Sequence, residues 1–258
     1  MIPLLIQLGP LPIYTFGLMV ALALLAGTLR LQRSFERFDL DPRFAERYVM
    51  YGGVSGIIGA RLWFIGEHIN EMRGDLVSSL LANAGFTFYG GFIIAAVVVT
   101  VRVLVDKVPL AVFVDALGPT LALGYAIGRI GCQLSGDGDY GIPVAGPLGM
   151  SYATGVVPTP PGLLVYPTPM YESFLAVLIA FILLRLESLN PKFLKPGWRF
   201  GVYLILISIE RFWIEFIRPN ERIYSGLSEA QIIAAMMGIL GLVLVGVRYG
   251  RGRAAIVS

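Results

Sequence analysis

Long apolar runs separated by short polar stretches recur along the whole chain. A helix needs roughly 20 apolar residues to cross a bilayer. On that measure the runs predict seven transmembrane helices, at about residues 11–30, 48–67, 87–105, 110–131, 170–187, 200–217 and 227–247. Between the second and third, Asn70 to Gly85 reads NEMRGDLVSSLLANAG, the pattern of a short amphipathic piece lying at the interface. The first run follows Met1 with no basic segment and no small-residue cleavage site ahead of a soluble body, so it reads as a retained helix and not a signal peptide. Gln133 to Thr168 carries no Lys or Arg, is rich in Gly and Pro, and holds Tyr140, Tyr152 and Tyr166. It is too long for an idle connection, so a head loop over 132–168 is expected to receive a substrate, unless it is only a variable loop. The expected architecture is an all-α integral membrane protein, a single seven-helix membrane domain over 1–258 with that loop within it.

Composition supports the membrane reading. With 56% hydrophobic and 14% charged residues and a mean hydropathy of +0.75, the chain has too little charge for a soluble protein of 258 residues. The net charge of +3 comes from Lys and Arg beside the apolar runs, so it speaks of orientation and anionic lipid and not of nucleic acid. Cys132 is the lone cysteine and His68 the lone histidine, so an internal disulfide is excluded, and no metal site or cofactor is expected.

Alternate loops differ sharply in basic residues. One side takes fourteen Lys and Arg, from Arg30 to Arg253, and the other takes three, Arg73, Arg218 and Arg222. The positive-inside rule then predicts a periplasmic N-terminus and a cytoplasmic C-terminus. The remaining three, Arg61, Arg129 and Arg211, fall inside apolar runs, in the outer halves of their spans. Tyr89, Glu172, Glu210, Glu215, Ser228 and Gln231 fall at the same level, whereas the inner half holds little besides Asp115. A transporter needs polar groups through the whole depth, so a site opening to the outer leaflet is favoured. Clustered arginines need an anion between them. Either nearby carboxylates such as Glu172, Glu210 and Glu215 supply it, with Arg211 and Glu215 one helical turn apart, or a phospholipid phosphate does.

Gly128 to Gly141 reads GRIGCQLSGDGDYG. With FGLM at Phe16–Met19, GARL at Gly59–Leu62, FYGGFI at Phe88–Ile93, PTPMYE at Pro167–Glu172, RFWIEFIRP from Arg211 to Pro219 and SEAQI at Ser228–Ile232, it resembles the prolipoprotein diacylglyceryl transferase family over nearly the whole chain. The resemblance implies a multi-pass enzyme of the bacterial cytoplasmic (inner) membrane. Such an enzyme moves the diacylglyceryl group of phosphatidylglycerol to the lipobox cysteine of a prolipoprotein and releases glycerol 1-phosphate. Its partners would be phosphatidylglycerol, prolipoprotein signal peptides with a lipobox cysteine, and membrane lipid. A thiol attacks a saturated carbon while a phosphate ester departs, so the protein must position two apolar-tailed substrates and stabilise a departing dianion. On this resemblance Arg129 and Arg211 match phosphate-binding arginines and, with Tyr89 and Asp137, are the candidate catalytic residues. Arg61, Gly90, Gly91, Glu172, Glu215 and Gln231 are the candidates for substrate binding.

The chain departs from the family pattern at Tyr89 and Tyr166, where most members carry histidine, and at Cys132, where they carry asparagine. The following asparagine and glutamate correspond to Ser135 and Asp137, with one extra residue nearby. A histidine base at those positions is excluded, and a tyrosine phenol, which ordinarily loses its proton only near pH 10, is a poor base in general. A diverged member with another acceptor, or one that only binds phospholipid, is the alternative reading. Several residues also have plainer explanations. Asp137 or Asp139 can shape a turn, Cys132 can be a packed small residue, and His68 a solvated helix end. Asp115 can bond a neighbouring helix, and Thr168 and Pro169 can open the helix that carries Glu172. Ser228 and Gln231 fit a capping box, and Gly90–Gly91 can be a close-packing pair.

Overall fold

The computed structural model describes residues 1–68, 87–189, 195–223 and 225–254. It is predominantly helical. A β-hairpin, β1 (Leu4–Leu8) and β2 (Leu11–Tyr14), precedes α1 (Thr15–Arg37). There follow α2 (Arg43–Glu67), α3 (Phe88–Val105), α4 (Leu110–Ser135), α5 (Thr168–Leu189), α6 (Trp198–Ile214), a 3₁₀ turn (Glu215–Ile217) and α7 (Glu229–Ala254). Each expected span is met by one helix, most with ends within a few residues. The expected interfacial piece, Asn70 to Gly85, lies outside the described residues.

The first span begins later and ends later than expected, because residues 4–14 pair as an antiparallel hairpin in which Leu8 faces Leu11 across a turn with Gly9 at φ 59°. Among the described residues, four helices are long and apolar enough to cross a membrane, namely Thr15–Arg37, Arg43–Glu67, Leu110–Ser135 and the Glu229–Arg248 part of α7; Tyr89–Val105 is a shorter apolar helix. Large apolar side chains such as Ile57, Phe174, Trp213 and Leu242 are exposed on the helices, the outward face expected of a membrane protein.

The chain divides into two compact units, Leu31–Phe113 and the rest. In the first, α2 and α3 pack through small residues. A Cβ on Gly91 would come within 2.7 Å of the Gly56 carbonyl oxygen, and one on Gly90 would run into Trp63. The glycine pair is thus the condition for close approach of the two backbones. An aromatic cluster of Phe35, Tyr48 and Phe113 closes this unit.

In the other unit, Ala122, Ile179, Ala180, Leu183, Tyr203 and Leu204 form an apolar core where α4, α5 and α6 meet. Polar groups lock its helix ends. Arg30 of α1 forms a buried ion pair with Glu187 of α5. Asp115 of α4 accepts hydrogen bonds from the backbone amides of Gly197 and Phe200, both at 2.8 Å, and so caps the start of α6 from a neighbouring helix. Polar residues are therefore not confined to one end of the bundle: Glu187 lies 15 residues beyond Glu172 on α5, about 22 Å along the axis.

Asp115→Ala would leave two amides at the start of α6 without their acceptor. We expect a loss of about 2 kcal/mol, read as a lower denaturation midpoint in detergent; an unchanged midpoint would show that the cap does not hold α6.

Candidate active site

Glu172 is fully buried one turn into α5. Its Oε1 accepts hydrogen bonds from the Tyr125 hydroxyl at 3.0 Å and from Arg211 at 3.2 Å. Its Oε2 lies 3.2 Å from Arg129 Nε, and Arg218 Nη1 approaches the carboxylate at 3.4 Å. Four side chains from α4, α6 and the segment after the 3₁₀ turn thus converge on one carboxylate. An uncompensated charge at such a site would cost several kcal/mol, so the residues hold one another in place.

Asp139 forms the outer edge. It pairs closely with Arg129, and its Oδ1 accepts from Arg218 Nη2 at 2.8 Å. The turn that carries it is built by Gly136 and Gly138, with φ of 62° and 98°, values that an L side chain rarely adopts. Thr168 holds the turn down, its hydroxyl donating to the Asp139 carbonyl at 2.6 Å. Asp137 serves the turn itself: its Oδ1 accepts from the Asp139 amide at 3.3 Å. Of the two aspartates, Asp139 is the one that meets the arginines.

The far side is a second polar network. Arg211 Nη2 pairs with Glu215 Oε2 at 3.0 Å, one helical turn apart as the spacing predicts. Glu215 Oε1 accepts from Asn220 Nδ2 at 2.6 Å and from the Ser228 hydroxyl at 2.8 Å. Ser228 and Gln231 form the capping box of α7: the Ser228 amide donates to Gln231 Oε1 and the Gln231 amide to the Ser228 hydroxyl oxygen. Arg222 donates to Gln231 Oε1 at 2.7 Å and to the Glu215 carbonyl at 2.8 Å. Gln231 is therefore bound into the support of Glu215.

A family model described as prolipoprotein diacylglyceryl transferase matches residues 3–247. The chain belongs to the prolipoprotein diacylglyceryl transferase family. Relatives named phosphatidylglycerol–prolipoprotein diacylglyceryl transferase include that of Clostridium tetani, 31% identical with 93% of this chain and 95% of the relative covered. That of Synechococcus elongatus is 29% identical over 97% and 89%. That of Leptospira interrogans is 28% identical over 81% and 73%.

Within this member of the family, the structure brings Arg129, Arg211, Glu172, Glu215 and Gln231 into one connected polar site and adds Asp139, Arg218, Tyr125 and Arg222. In the structure Arg129 and Arg211 are compensated by carboxylates of the chain, the internal solution the sequence allowed. Arg61, buried on α2, and Tyr89, 44% exposed on α3, belong with Gly90 and Gly91 to the Leu31–Phe113 unit. His68 ends α2, its ring nitrogen 2.9 Å from the Phe64 carbonyl. Arg218 is a site residue that the sequence reading assigned to a loop. Helical spacing from Arg211 could not reveal it, because α6 ends at Ile214 and Arg218 is extended after the 3₁₀ turn.

Cys132, Asp137 and Asp139 offer ligand atoms within 4.8 Å of one another. Two guanidiniums already hold Asp139 and would repel a cation there. The guanidinium forks here meet carboxylate oxygens of the chain, a geometry that also matches phosphate oxygens. Arg211, with 27% of its side chain exposed, is the most open of the three arginines around Glu172.

Glu172→Gln would leave the surrounding cations without their central charge and is expected to cost about 3–5 kcal/mol; a denaturant series in detergent measures it, and a negligible loss would remove Glu172 as the organiser. Burial pushes the Asp139 carboxyl up, but the Arg129 and Arg218 guanidiniums outweigh it and hold the group below the usual carboxylate range. A depressed folded-state value means that the contribution of Asp139 to stability is complete above about pH 4 and fades as pH falls through the lowered value. Asp139→Asn should flatten that acid limb of the unfolding midpoint; an unaltered limb would assign it to other groups.

Proposed function

We propose that this chain is a multi-pass protein of the bacterial cytoplasmic membrane, with a periplasmic N-terminus and a cytoplasmic C-terminus. On this reading it transfers the diacylglyceryl group of phosphatidylglycerol to the lipobox cysteine of prolipoproteins and releases glycerol 1-phosphate. The observation that carries the proposal is the convergence of Arg129, Arg211 and Arg218 on Glu172 in a member of this family. Seven spans and this orientation rest on the spacing of the apolar runs and the asymmetry of Lys and Arg between alternate loops.

In the reaction the cysteine sulfur forms a bond to the glyceryl carbon that carries the phosphate. The carbon–oxygen bond breaks and its electrons leave with the phosphate. Charge gathers on that phosphate as the bond breaks, and fixed cations in a water-poor site stabilise it most where it is greatest. Arg129 and Arg211 hold the phosphate by exchanging a carboxylate contact for a phosphate oxygen, with Arg218 beside them. The loop over 132–168 would receive the peptide, a reading supported by its tie to this cluster through Asp139 and Thr168.

Transfer from phosphatidylglycerol to a synthetic lipobox peptide, followed as glycerol phosphate release by the purified protein, tests the activity. Arg129→Ala should lower the rate by at least about 100-fold while the protein stays folded in detergent; a rate near that of the native chain would take this arginine out of the mechanism.

A further inference from the structure

The transfer must remove a proton from the attacking thiol, and the unit that holds the cluster around Glu172 contains no histidine. The carboxylates of the cluster are engaged. Glu172 accepts from Tyr125, Arg211 and Arg218 and pairs with Arg129, Asp139 is held by Arg129 and Arg218, and Glu215 by Asn220, Ser228 and Arg211. Glu210 is different. It precedes Arg211 on α6 and is 5% exposed, and among the described residues both its carboxylate oxygens lack a hydrogen-bond partner. Its charged neighbours are Glu172, Arg211, Arg129 and Arg218, with Tyr125 and Tyr203 also within electrostatic range. Buried polar groups are nearly always satisfied, so a buried carboxylate left without a hydrogen-bond partner beside Arg211 calls for a use.

We propose that Glu210 is the proton acceptor for the cysteine thiol, an inference that rests on the transferase reading above. The S–H proton passes to a Glu210 oxygen, and the sulfur electron pair forms the bond to the glyceryl carbon. The carbon–oxygen pair leaves on the phosphate held by the neighbouring arginines. The proton then moves from Glu210 to the departing phosphate monoester, which restores the carboxylate. Base and leaving-group cations would be parts of one buried cluster, so proton removal and charge stabilisation occur together.

The test uses the full chain, phosphatidylglycerol, and two lipobox peptides that carry either cysteine or selenocysteine, whose selenol is already ionised at neutral pH and needs no base. Glu210→Gln should lower transfer to the cysteine peptide by at least about 100-fold and transfer to the selenocysteine peptide by less than about tenfold, with phosphatidylglycerol binding retained. Near-native transfer to cysteine, or equal losses on both peptides, overturns the proposal, the second outcome marking a structural role. If the Gln variant does not fold, Glu210→Asp supplies the same comparison: a base predicts a changed thiol-to-selenol ratio, and an unchanged ratio overturns the idea. A native protein that transfers to neither peptide refutes the transferase reading and this inference with it; a native protein that is active beside a fully active variant refutes this inference alone.

Discussion

One buried carboxylate organises the larger unit of this protein. Glu172 has no exposure to solvent and is approached by guanidiniums from α4, from α6 and from the chain after the 3₁₀ turn. Coulomb attraction at such a site is strong, but removing the charges from water offsets much of it, so ion pairs of this kind add less stability than their number suggests. What they impose is geometry. Each arginine is held only where its fork meets a carboxylate oxygen, and that ties the register of α4, α5 and α6 to a single point.

The surroundings of Glu172 follow from that demand. Asp139 can reach Arg129 and Arg218 because a glycine turn with left-handed residues folds back over the end of α4. Gly141 is wedged among Ile217, Thr168 and Tyr166 where a side chain would not fit, so the loop enters at one fixed angle. Glu215 is oriented from the other side by Asn220 and Ser228, and Ser228 is itself placed by the capping box that starts α7. On the proposed function, a phosphate entering such a site would replace contacts that the arginines already make, and so would meet cations held in position and not side chains that must first be ordered. Reaction rates gain from donors fixed before the charge develops.

Both units bring helices together through glycines, and the larger adds buried polar contacts. In the Leu31–Phe113 unit, α2 and α3 approach through Gly56, Gly59, Gly90 and Gly91, and backbone proximity replaces the hydrophobic drive that lipid surroundings remove. In the other unit, α6 and α7 use the same device at Gly201 and Gly241, while α1, α4, α5 and α6 are joined by buried polar contacts.

The sequence by itself determined where the long helices run, because a bilayer demands about 20 apolar residues per span and leaves that count visible in the chain. It also singled out Arg61, Arg129 and Arg211, since a cation inside an apolar run must have a counter-charge, of which Arg129 and Arg211 meet at Glu172 while Arg61 belongs to the Leu31–Phe113 unit, and it marked the Ser228–Gln231 cap through residue spacing alone. The hairpin at Leu4–Tyr14 was not legible, because a short apolar run fits a strand as well as the start of a helix. Arg218 was hidden by the rule that counts every loop cation as a topological signal. The choice of Asp139 over Asp137, the central place of Glu172 and the open carboxylate of Glu210 were decided only by tertiary structure. Each depends on which side chains meet across helices far apart in the chain, and no local periodicity encodes that.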